Sequence, residues 1–415
     1  MLDRPGVLPQ KTWMQSQPLS AALATPSRRW RRIAGVGASL LAVLGAAFFF
    51  SGWRAYGKRP SGARLARMQK SPNWKHGHFV NPEPMENDLL GAVLGIFTKS
   101  RYTSPDLPVP AVTVQKKALE MPPFTSLSAT WFGHSSFLIQ IEACRILIDP
   151  MWSDRLSPVA VSGPKRWYGP LIPLGDLPHI DAVVISHDHY DHLDYSTIVA
   201  MKDWDTTFVV PLGVGAHLEY WGIRPDRIVE LDWWERTRVN GVDFVATPAR
   251  HISGRTVGIG DSGTLWSGWA MVGKIRRVYY SGDTGLFPGM KEIGEKLGPF
   301  DLTLIESGEY GHWWSDWHLG PEQAVLAHQL VRGKVLLPAH WGLFTLAYHA
   351  WTEPIERVLA AAATAGVVVA APRPGATIEP LARAPRERWW SATPWKSAAE
   401  DPIISSGTEA LREGR

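Results

Sequence analysis

The run Ser-His-Asp-His-Tyr-Asp-His-Leu-Asp at residues 186–194 constrains this chain more than any other feature of its sequence. It follows directly on the apolar stretch Asp-Ala-Val-Val-Ile, whose length and β-branched residues predict a buried strand. In extended backbone, side chains two positions apart share a face, so His187 and His189 are placed to bind one metal ion together. After the strand ends, the chain changes direction, so Asp191 and His192 point away from the first pair and can bind a second metal ion. The run therefore predicts metal binding, with a solvated His/Asp loop as the alternative.

Three more metal-ligand residues stand in similar places, each shortly after an apolar, β-rich segment: His251, Asp283 and His340. Loops at the C-terminal ends of strands carry the chemistry in many α/β folds. Either histidine alone is also explained by core packing. The full set predicts two ions held by two groups: His187, His189 and His251 for one ion, and Asp191, His192 and His340 for the other. Asp283 is predicted to bridge the two ions, because a carboxylate has two oxygens to share.

The ligand types indicate which ions and which reaction to expect. Imidazole and carboxylate ligands without thiolate suit zinc best, and manganese, iron or cobalt also bind such sites. The single cysteine, Cys144, is predicted to be a small core residue, so neither an intrachain disulfide nor a thiolate cluster is expected. Two divalent ions together lower the pKa of water and stabilise charge on a phosphoryl or carbonyl oxygen. The predicted reaction class is hydrolysis.

The His-x-His-x-Asp-His pattern at residues 187–192 is the hallmark of the metallo-β-lactamase superfamily, which this sequence resembles. Four further motifs are similar, more specifically, to the N-acylphosphatidylethanolamine-hydrolysing phospholipase D family: Thr130-Trp-Phe-Gly-His-Ser-Ser, Glu230-Leu-Asp-Trp-Trp-Glu, Ser281-Gly-Asp-Thr-Gly and His340-Trp-Gly-Leu-Phe. The likeness runs in one order from about Gly77 to Gly375. It implies an α/β fold, the αββα four-layer sandwich, with the seven residues above as metal ligands. It also implies that Asp149 supports a ligand histidine from behind.

The resemblance implies a function as well. A dinuclear-metal phosphodiesterase of the phospholipase D type would hydrolyse N-acylphosphatidylethanolamine or a similar phospholipid to phosphatidic acid and an N-acylethanolamine. Catalytic roles carry over to Asp191, Asp283 and His318, while Arg255 and His318 would bind the substrate phosphate. The other readings are helix-start packing for His318 and a surface salt bridge for Arg255. Two alternative functions stay open: a lactonase or cyclic phosphodiesterase acting on a small soluble substrate, and a membrane-tethered binding protein that uses its metals structurally.

One segment departs from the family. Residues 306–314 read Glu-Ser-Gly-Glu-Tyr-Gly-His-Trp-Trp, where the animal enzyme has a neutral run of the Pro-Ile-Gly-Ala-Tyr type. Glu306 and Glu309 therefore add two carboxylates near the predicted pocket. This difference leaves hydrolysis as the expected reaction and bears on which lipid is the natural substrate.

The sequence predicts five parts of the chain: a basic, unstructured N-terminus (1–32), a transmembrane helix or uncleaved signal anchor (33–53), a Pro-rich lead-in (54–125), the hydrolase domain (126–384) and a polar tail (385–415). The uncharged second part is long enough to span a bilayer as a helix. The net charge of +4 favours an anionic membrane surface, and not nucleic acid, as partner. The arginines before the helix favour a bacterial inner-membrane protein with a periplasmic catalytic domain, although cations after it leave the orientation open. A homo-oligomer is compatible with the sequence.

Overall fold

Two seven-stranded β-sheets form the centre of the protein, in a computed structural model that describes residues 50–255 and 262–413 and the single positions 39, 43 and 45. Along the chain the strands are β1 (Trp74–Lys75), β2 (His78–Phe79), β3 (Leu127–Gly133), β4 (Ser136–Ile141), β5 (Cys144–Ile148), β6 (Ala182–Val184), β7 (Thr207–Pro211), β8 (Ile228–Leu231), β9 (Arg236–Val239), β10 (Val242–Thr247), β11 (Gly268–Val272), β12 (Arg277–Tyr280), β13 (Phe300–Glu306), β14 (Gly333–Ala339), β15 (Val368–Val369) and β16 (Thr377–Ile378). The first sheet has the spatial order β16-β3-β4-β5-β6-β7-β8 and the second the order β15-β14-β13-β12-β11-β10-β9. Strands β1 and β2 pair separately as a short hairpin.

Helices cover the outer faces of both sheets. The helices among the described residues are α1 (Gly62–Met68), α2 (Leu89–Gly95), α3 (Lys116–Glu120), α4 (Tyr195–Ala200), α5 (Gly215–Tyr220), α6 (Gly289–Leu297), α7 (Pro321–Leu330), α8 (Glu353–Ala365) and α9 (Ser406–Glu413). Those from α3 onward pack on the sheets. The side chain of Asp194, the last residue of the metal-binding run, accepts a hydrogen bond from the backbone N–H of Ser196 and so caps the start of α4. The run therefore occupies a short loop between a strand and a helix.

Three buried apolar clusters define the layers. Ile198 of α4 and Leu218 of α5 pack against the first sheet. Val358 of α8 packs, with residues of α6 and α7, against the second sheet. Phe137 and Phe244 belong to the cluster that fills the space between the two sheets. The order helix, sheet, sheet, helix confirms the predicted αββα sandwich.

Parallel strands bring the candidate site residues to one edge. Strands β5 to β8 are parallel neighbours in the first sheet, and β12 to β15 are parallel neighbours in the second. Such strands are rich in apolar residues because both of their faces are covered. Asp149 follows β5, Asp283 lies three residues beyond β12, and His340 follows β14 directly. The topology thus gathers residues that are far apart in the sequence.

The predicted transmembrane helix, residues 33–53, lies almost entirely outside the described residues, as does the basic N-terminus. Where the continuous description begins, helical structure ends at Ser51 and residues 52–56 form turns. Within the part of the chain that the structure describes, no helix combines the length and the apolar character needed to cross a membrane. The anchor therefore stays a prediction.

The lead-in and the tail are integral to the folded unit. Residues from Ser51 onward form one compact unit, so no separate body begins at 126 or ends at 384. In the lead-in, Asn81 accepts a hydrogen bond from the backbone N–H of His251 at 3.1 Å and donates one to its carbonyl at 2.7 Å. In the tail, Trp389 and Trp390 are buried in the cluster between the sheets. Both segments therefore support the fold, and the lead-in also supports the candidate site.

Candidate metal centre

The first candidate ion site, which we call the three-histidine group, consists of His187, His189 and His251. Nε2 of His187 lies 2.8 Å from Nδ1 of His189, and Nε2 of His251 lies 3.4 Å from the same atom. Zinc–nitrogen bonds of ~2.0–2.1 Å place the nitrogens of a tetrahedral site about 3.4 Å apart. The three buried or half-buried rings therefore have the spacing of ligands to one ion.

The second candidate site, which we call the aspartate-containing group, consists of Asp191, His192 and His340. The Nε2 atoms of the two histidines lie 3.2 Å apart. Oδ2 of Asp191 lies 3.2 Å from Nε2 of His192 and 3.3 Å from Nε2 of His340. Two imidazole nitrogens and a carboxylate oxygen thus converge on one point, as the ligands of a divalent ion do.

Asp283 lies between the two groups. Its Oδ2 is 3.1 Å from Nε2 of both His192 and His340, and 3.7 Å and 3.8 Å from Nε2 of His187 and His251. Its Oδ1 is buried and has no hydrogen-bond partner among the described residues. Leaving a buried polar group unpaired costs roughly 1–3 kcal/mol, and more for a charge. A carboxylate with a free buried oxygen between two ligand groups is suited to bridge two ions.

Asp149 supports the aspartate-containing group, as predicted. Its Oδ2 lies 2.8 Å from Nδ1 of His192. The same carboxylate accepts hydrogen bonds from the backbone N–H of Ser186 at 2.8 Å and from the hydroxyl of Tyr280 at 2.6 Å. Asp149 adopts a positive φ of 37°, a conformation that non-glycine residues rarely take and that occurs often at functional sites. The contact fixes the imidazole of His192 with Nε2 toward the site.

Neutral partners support the three-histidine group. Nδ1 of His187 lies 3.0 Å from the hydroxyl oxygen of Ser186. Nδ1 of His251 donates to the backbone carbonyl of Trp317 at 3.0 Å. These contacts leave Nε2 of both rings free to bind an ion.

The charges of the site favour bound cations. Burial lowers the pKa of His187 well below its ordinary value, so this ring is neutral and offers a lone pair. Burial acts in the same direction on His340, but Asp283 outweighs it and raises the pKa of His340 to about 10. The pKa of His192 is likewise raised well above its ordinary value, because Asp283 and Asp191 outweigh the effect of burial. Divalent ions would satisfy the same carboxylates and release these protons, so the residues present fit two such ions.

His134 is a further site residue, to which the sequence assigns no role beyond its place in the motif that begins at Thr130. It lies in the turn between β3 and β4 with a φ of 52°. Its Nε2 lies 2.9 Å from Oδ2 of Asp191, and its ring centroid is 4.2 Å from that of His340. Burial lowers the pKa of His134 to about 4, so a neutral ring donates to Asp191. The only signal in the sequence was a histidine after glycine in a hairpin turn, which by itself does not indicate a partner.

His318 lies beside both groups. Its ring centroid is 5.1 Å from that of His251 and 5.2 Å from that of His340. Its Nδ1 lies 2.7 Å from Oε2 of Glu306, and its side chain is 15% exposed. The ring therefore borders both the buried site and the solvent. Residues 306–314, which differ from the family, contain two acids. Glu306 contacts His318. Burial raises the pKa of Glu309 well above its ordinary value.

Arg255 does not face the site, so the prediction that it binds the substrate phosphate is wrong. It is 3% exposed, and its guanidinium donates to the backbone carbonyls of Ala55, Asp188 and Leu193 at 2.6–3.0 Å. Its Cζ also lies 4.2 Å from the ring centroid of Tyr190. The alternative reading, a surface salt bridge, is wrong as well, because these partners are carbonyls and the side chain is buried. Arg255 ties the metal-binding run to the lead-in.

Comparison with known proteins identifies related sequences. A family model described as "Beta-lactamase superfamily domain" matches residues 144–341, a range that contains all seven candidate ligands. An uncharacterized protein of Mycobacterium tuberculosis is 44% identical over 335 residues, which cover 78% of this chain and 89% of that protein. A metal-dependent hydrolase of Pyrobaculum calidifontis is 30% identical over 222 residues, covering 52% of this chain and 84% of that protein.

One of the similar proteins whose names state a substrate comes from a nematode. It is the N-acyl-phosphatidylethanolamine-hydrolyzing phospholipase D 1 of Caenorhabditis elegans, 40% identical over 235 residues. These residues cover 54% of this chain and 65% of the nematode protein. The likeness extends over part of each protein.

Proposed function

This chain belongs to the β-lactamase superfamily of metal-dependent hydrolases, and from that premise we propose that it is a phosphodiesterase of the phospholipase D type. Its substrate is N-acylphosphatidylethanolamine or a similar phospholipid, and its products are phosphatidic acid and an N-acylethanolamine. The observation that carries the proposal is that the two ligand groups, six residues in all, meet at the seventh candidate ligand, Asp283. The likeness to the nematode enzyme named for this reaction supports the choice of substrate.

Each ligand group would hold one divalent ion, with Asp283 bound to both. We favour zinc, because the donors are imidazoles and carboxylates without a thiolate. Bound there, two ions supply Lewis-acid activation of water and of the phosphoryl oxygen. The chain itself fixes the ligands, since Asp149 lies behind His192 and His134 donates to Asp191.

His318 is the residue that we place at the leaving group. Hydrolysis forms a bond between the oxygen of water and phosphorus, and it breaks the bond from phosphorus to the oxygen of the N-acylethanolamine. That oxygen must gain a proton as it leaves. The partly exposed ring of His318 borders both ligand groups and is placed to supply it. General acid catalysis of this kind typically contributes ~10²–10⁴-fold to a rate.

An exposed apolar surface supports a lipid substrate. Helix α2 and the turn after it carry Leu90, Val93 and Phe97 at 71%, 67% and 85% exposure. Two glycines on the other side of this helix lie so close to Trp313 that a Cβ atom would collide with its ring. The helix therefore packs against Trp313 through its glycines, and its apolar side chains face outward. Such patches mark protein or membrane contacts, and exposed Lys99, which follows at once, suits anionic lipid headgroups.

Membrane attachment through residues 33–53 is a further part of the proposal, with the chain in a bacterial inner membrane and the catalytic domain on the periplasmic side. The run is uncharged and lies between arginines. Tethering would confine the enzyme to the surface where its substrate lies. Fractionation and protease access to spheroplasts test this: a soluble full-length protein would refute the anchor, and protection of residues 60–415 would reverse the orientation.

Product analysis tests the proposed reaction. Zinc-loaded protein is incubated with vesicles that contain N-acylphosphatidylethanolamine and, separately, with small lactones and cyclic phosphodiesters. We expect phosphatidic acid and N-acylethanolamine in equal amounts. Diacylglycerol would show cleavage on the glycerol side of phosphorus. Turnover confined to the small soluble substrates would replace the proposal with the lactonase or cyclic phosphodiesterase alternative.

A further inference from the structure

Glu306 lies at the end of β13, between the strands that lead to Asp283 and His340. Strand β13 pairs in parallel with β12 on one side and with β14 on the other. Three neighbouring strands therefore deliver these three residues to one edge of the sheet. The side chain of Glu306 is fully buried, where an acid is rare unless it is paired. Neither the candidate ligand set nor the reaction described above gives it a role.

Both carboxylate oxygens of Glu306 have partners. Oε1 accepts a hydrogen bond from the backbone N–H of Thr284, the residue that follows Asp283. Oε2 lies 2.7 Å from Nδ1 of His318. A carboxylate only accepts hydrogen bonds, so Nδ1 is the nitrogen that carries the proton in this contact. The main chain beside the bridging aspartate thus fixes Glu306, and Glu306 in turn fixes the ring of His318.

This contact decides which edge of His318 is available to a substrate. With Nδ1 turned inward to Glu306, Nε2 lies on the outer edge of a ring that is 15% exposed. A carboxylate beside a histidine sets the tautomer and the orientation of its ring. In the serine hydrolase triad, the same kind of support holds the histidine that moves the proton.

We propose that Glu306 is a positioning residue for the reaction: it holds His318 so that Nε2 faces the leaving oxygen of the substrate. The inference rests on the proposed function for the identity of that oxygen. The form of His318 that acts carries a proton on each ring nitrogen, and the Nδ1 proton stays in the contact with Glu306. As the bond from phosphorus to the alcohol oxygen breaks, its electron pair stays on the oxygen, which takes the proton from Nε2 and leaves the neutral ring with its proton on Nδ1. The proton released by the attacking water restores the ring.

A different arrangement of the same atoms would make Glu306 an ion ligand. One ligand atom from each of Asp283, Glu306, His318 and His340 lies within 4.8 Å of the others. Oε2 of Glu306 is, however, 4.0 Å from Nδ1 of His340 and only 2.7 Å from Nδ1 of His318. The shorter contact favours the pair with His318. The two arrangements differ in a measurable way, because removing an ion ligand lowers the metal content and removing a positioning residue does not.

The test compares Glu306→Gln, His318→Asn and the double variant with Glu309→Gln as the matched control. Burial raises the pKa of Glu309 well above its ordinary value, so a glutamine amide mimics its protonated carboxyl. We expect Glu306→Gln to keep two ions per chain and its KM, and to lose roughly 10–100-fold in kcat, as supporting partners of site histidines typically do. The double variant should be no slower than His318→Asn, because Glu306 acts through that residue. Glu309→Gln should have the wild-type rate.

Nitrogen-15 NMR of histidine-labelled protein supplies a measurement that does not depend on turnover. The signal missing in His318→Asn identifies this ring. We expect it to report a proton on Nδ1 in the wild type and a changed tautomer distribution in Glu306→Gln. An unchanged signal, a loss of bound metal, or additive effects in the double variant would overturn the assignment. Failure of the wild type to cleave N-acylphosphatidylethanolamine would refute the proposed substrate alone, since the NMR result still decides the role of Glu306.

Discussion

The two candidate ion-binding groups are held in place by different chemistry. The three-histidine group relies on neutral partners, the hydroxyl of Ser186 and the backbone carbonyl of Trp317. The aspartate-containing group relies on charged and ionisable partners. Asp149 lies behind His192, and His134 donates to Asp191.

This difference indicates which ligand group depends more on the residues that support it. A carboxylate behind a ligand imidazole makes that imidazole a stronger donor, whereas a neutral acceptor mainly orients the ring. The aspartate-containing group should therefore bind its ion more tightly, and it should lose more affinity when its support is removed. Variants of the shared ligand, of each support and of distant positions test this comparison.

Asp283→Ala should have the largest effect, because this residue serves both groups. We expect it to remove most bound metal from both sites and to reduce hydrolysis to background, as measured by metal analysis and product formation. Thermal unfolding provides the check that the variant is folded. A folded variant that keeps two ions and substantial activity would contradict the bridging role.

Asp149→Asn should weaken the aspartate-containing group selectively. Loss of the charge behind His192 should lower the affinity for its ion roughly 10–100-fold. The other ion should be affected less, because Asp149 reaches His187 only through the hydroxyl of Ser186. Competition with a chromophoric chelator measures both affinities. Tyr280→Phe is the matched control, because it removes a different hydrogen bond to the same carboxylate oxygen. Equal loss at both sites would mean that the two groups do not differ as described.

Asn81→Ala should act on the three-histidine group, with a smaller effect. It removes the two hydrogen bonds that hold the backbone of His251, each worth ~0.5–1.5 kcal/mol. We expect about a tenfold loss of affinity for one ion in the same chelator assay. If the variant instead lost the ion that Asp149→Asn loses, the assignment of Asn81 to this group would fail.

Val93→Glu changes the exposed surface of α2 and leaves both ligand groups intact. We expect turnover of vesicle-bound lipid to fall about tenfold through weaker binding, because a charge is costly in the apolar part of a lipid interface. The metal content should stay the same. Ile275→Glu, at an exposed apolar residue outside α2, is the control. Equal losses in the two variants would remove the support that α2 gives to a lipid substrate.

Cys144→Ser should have the smallest effect, because neither group uses a thiolate. The thiol is buried, and burial raises its pKa to about 12. A neutral thiol of this kind should not react with a thiol reagent at pH 8 until the protein unfolds. The variant should keep both ions and its activity. Rapid labelling of the native protein, or loss of metal, would be inconsistent with this environment.

Much of the site could be predicted because its ligands follow local patterns. The strand before His187 and the strand before His340 are apolar runs, and each is followed by a residue type that binds metals. The order of helices and sheets follows from the same runs once the family resemblance is recognised. These features depend on residues that are close together in the sequence, so they can be recognised in a single sequence.

The parts that could not be predicted depend on contacts between distant residues. The partner of His134 is Asp191, which lies on another loop. Glu306 meets His318 because the segment after β13 returns to the end of that strand. The family resemblance assigns Arg255 to the substrate phosphate. In the structure its side chain points to the lead-in carbonyl of Ala55. A resemblance between sequences does not by itself show which side of a loop a residue faces.

Metal titration of the ion-free protein tests the central claim most directly. Zinc is added in steps while bound metal and hydrolysis of N-acylphosphatidylethanolamine are followed in the same sample. The two groups bridged by Asp283 predict that bound metal and activity both reach their maximum at two ions per chain. Full activity with one tightly bound ion per chain would contradict the account.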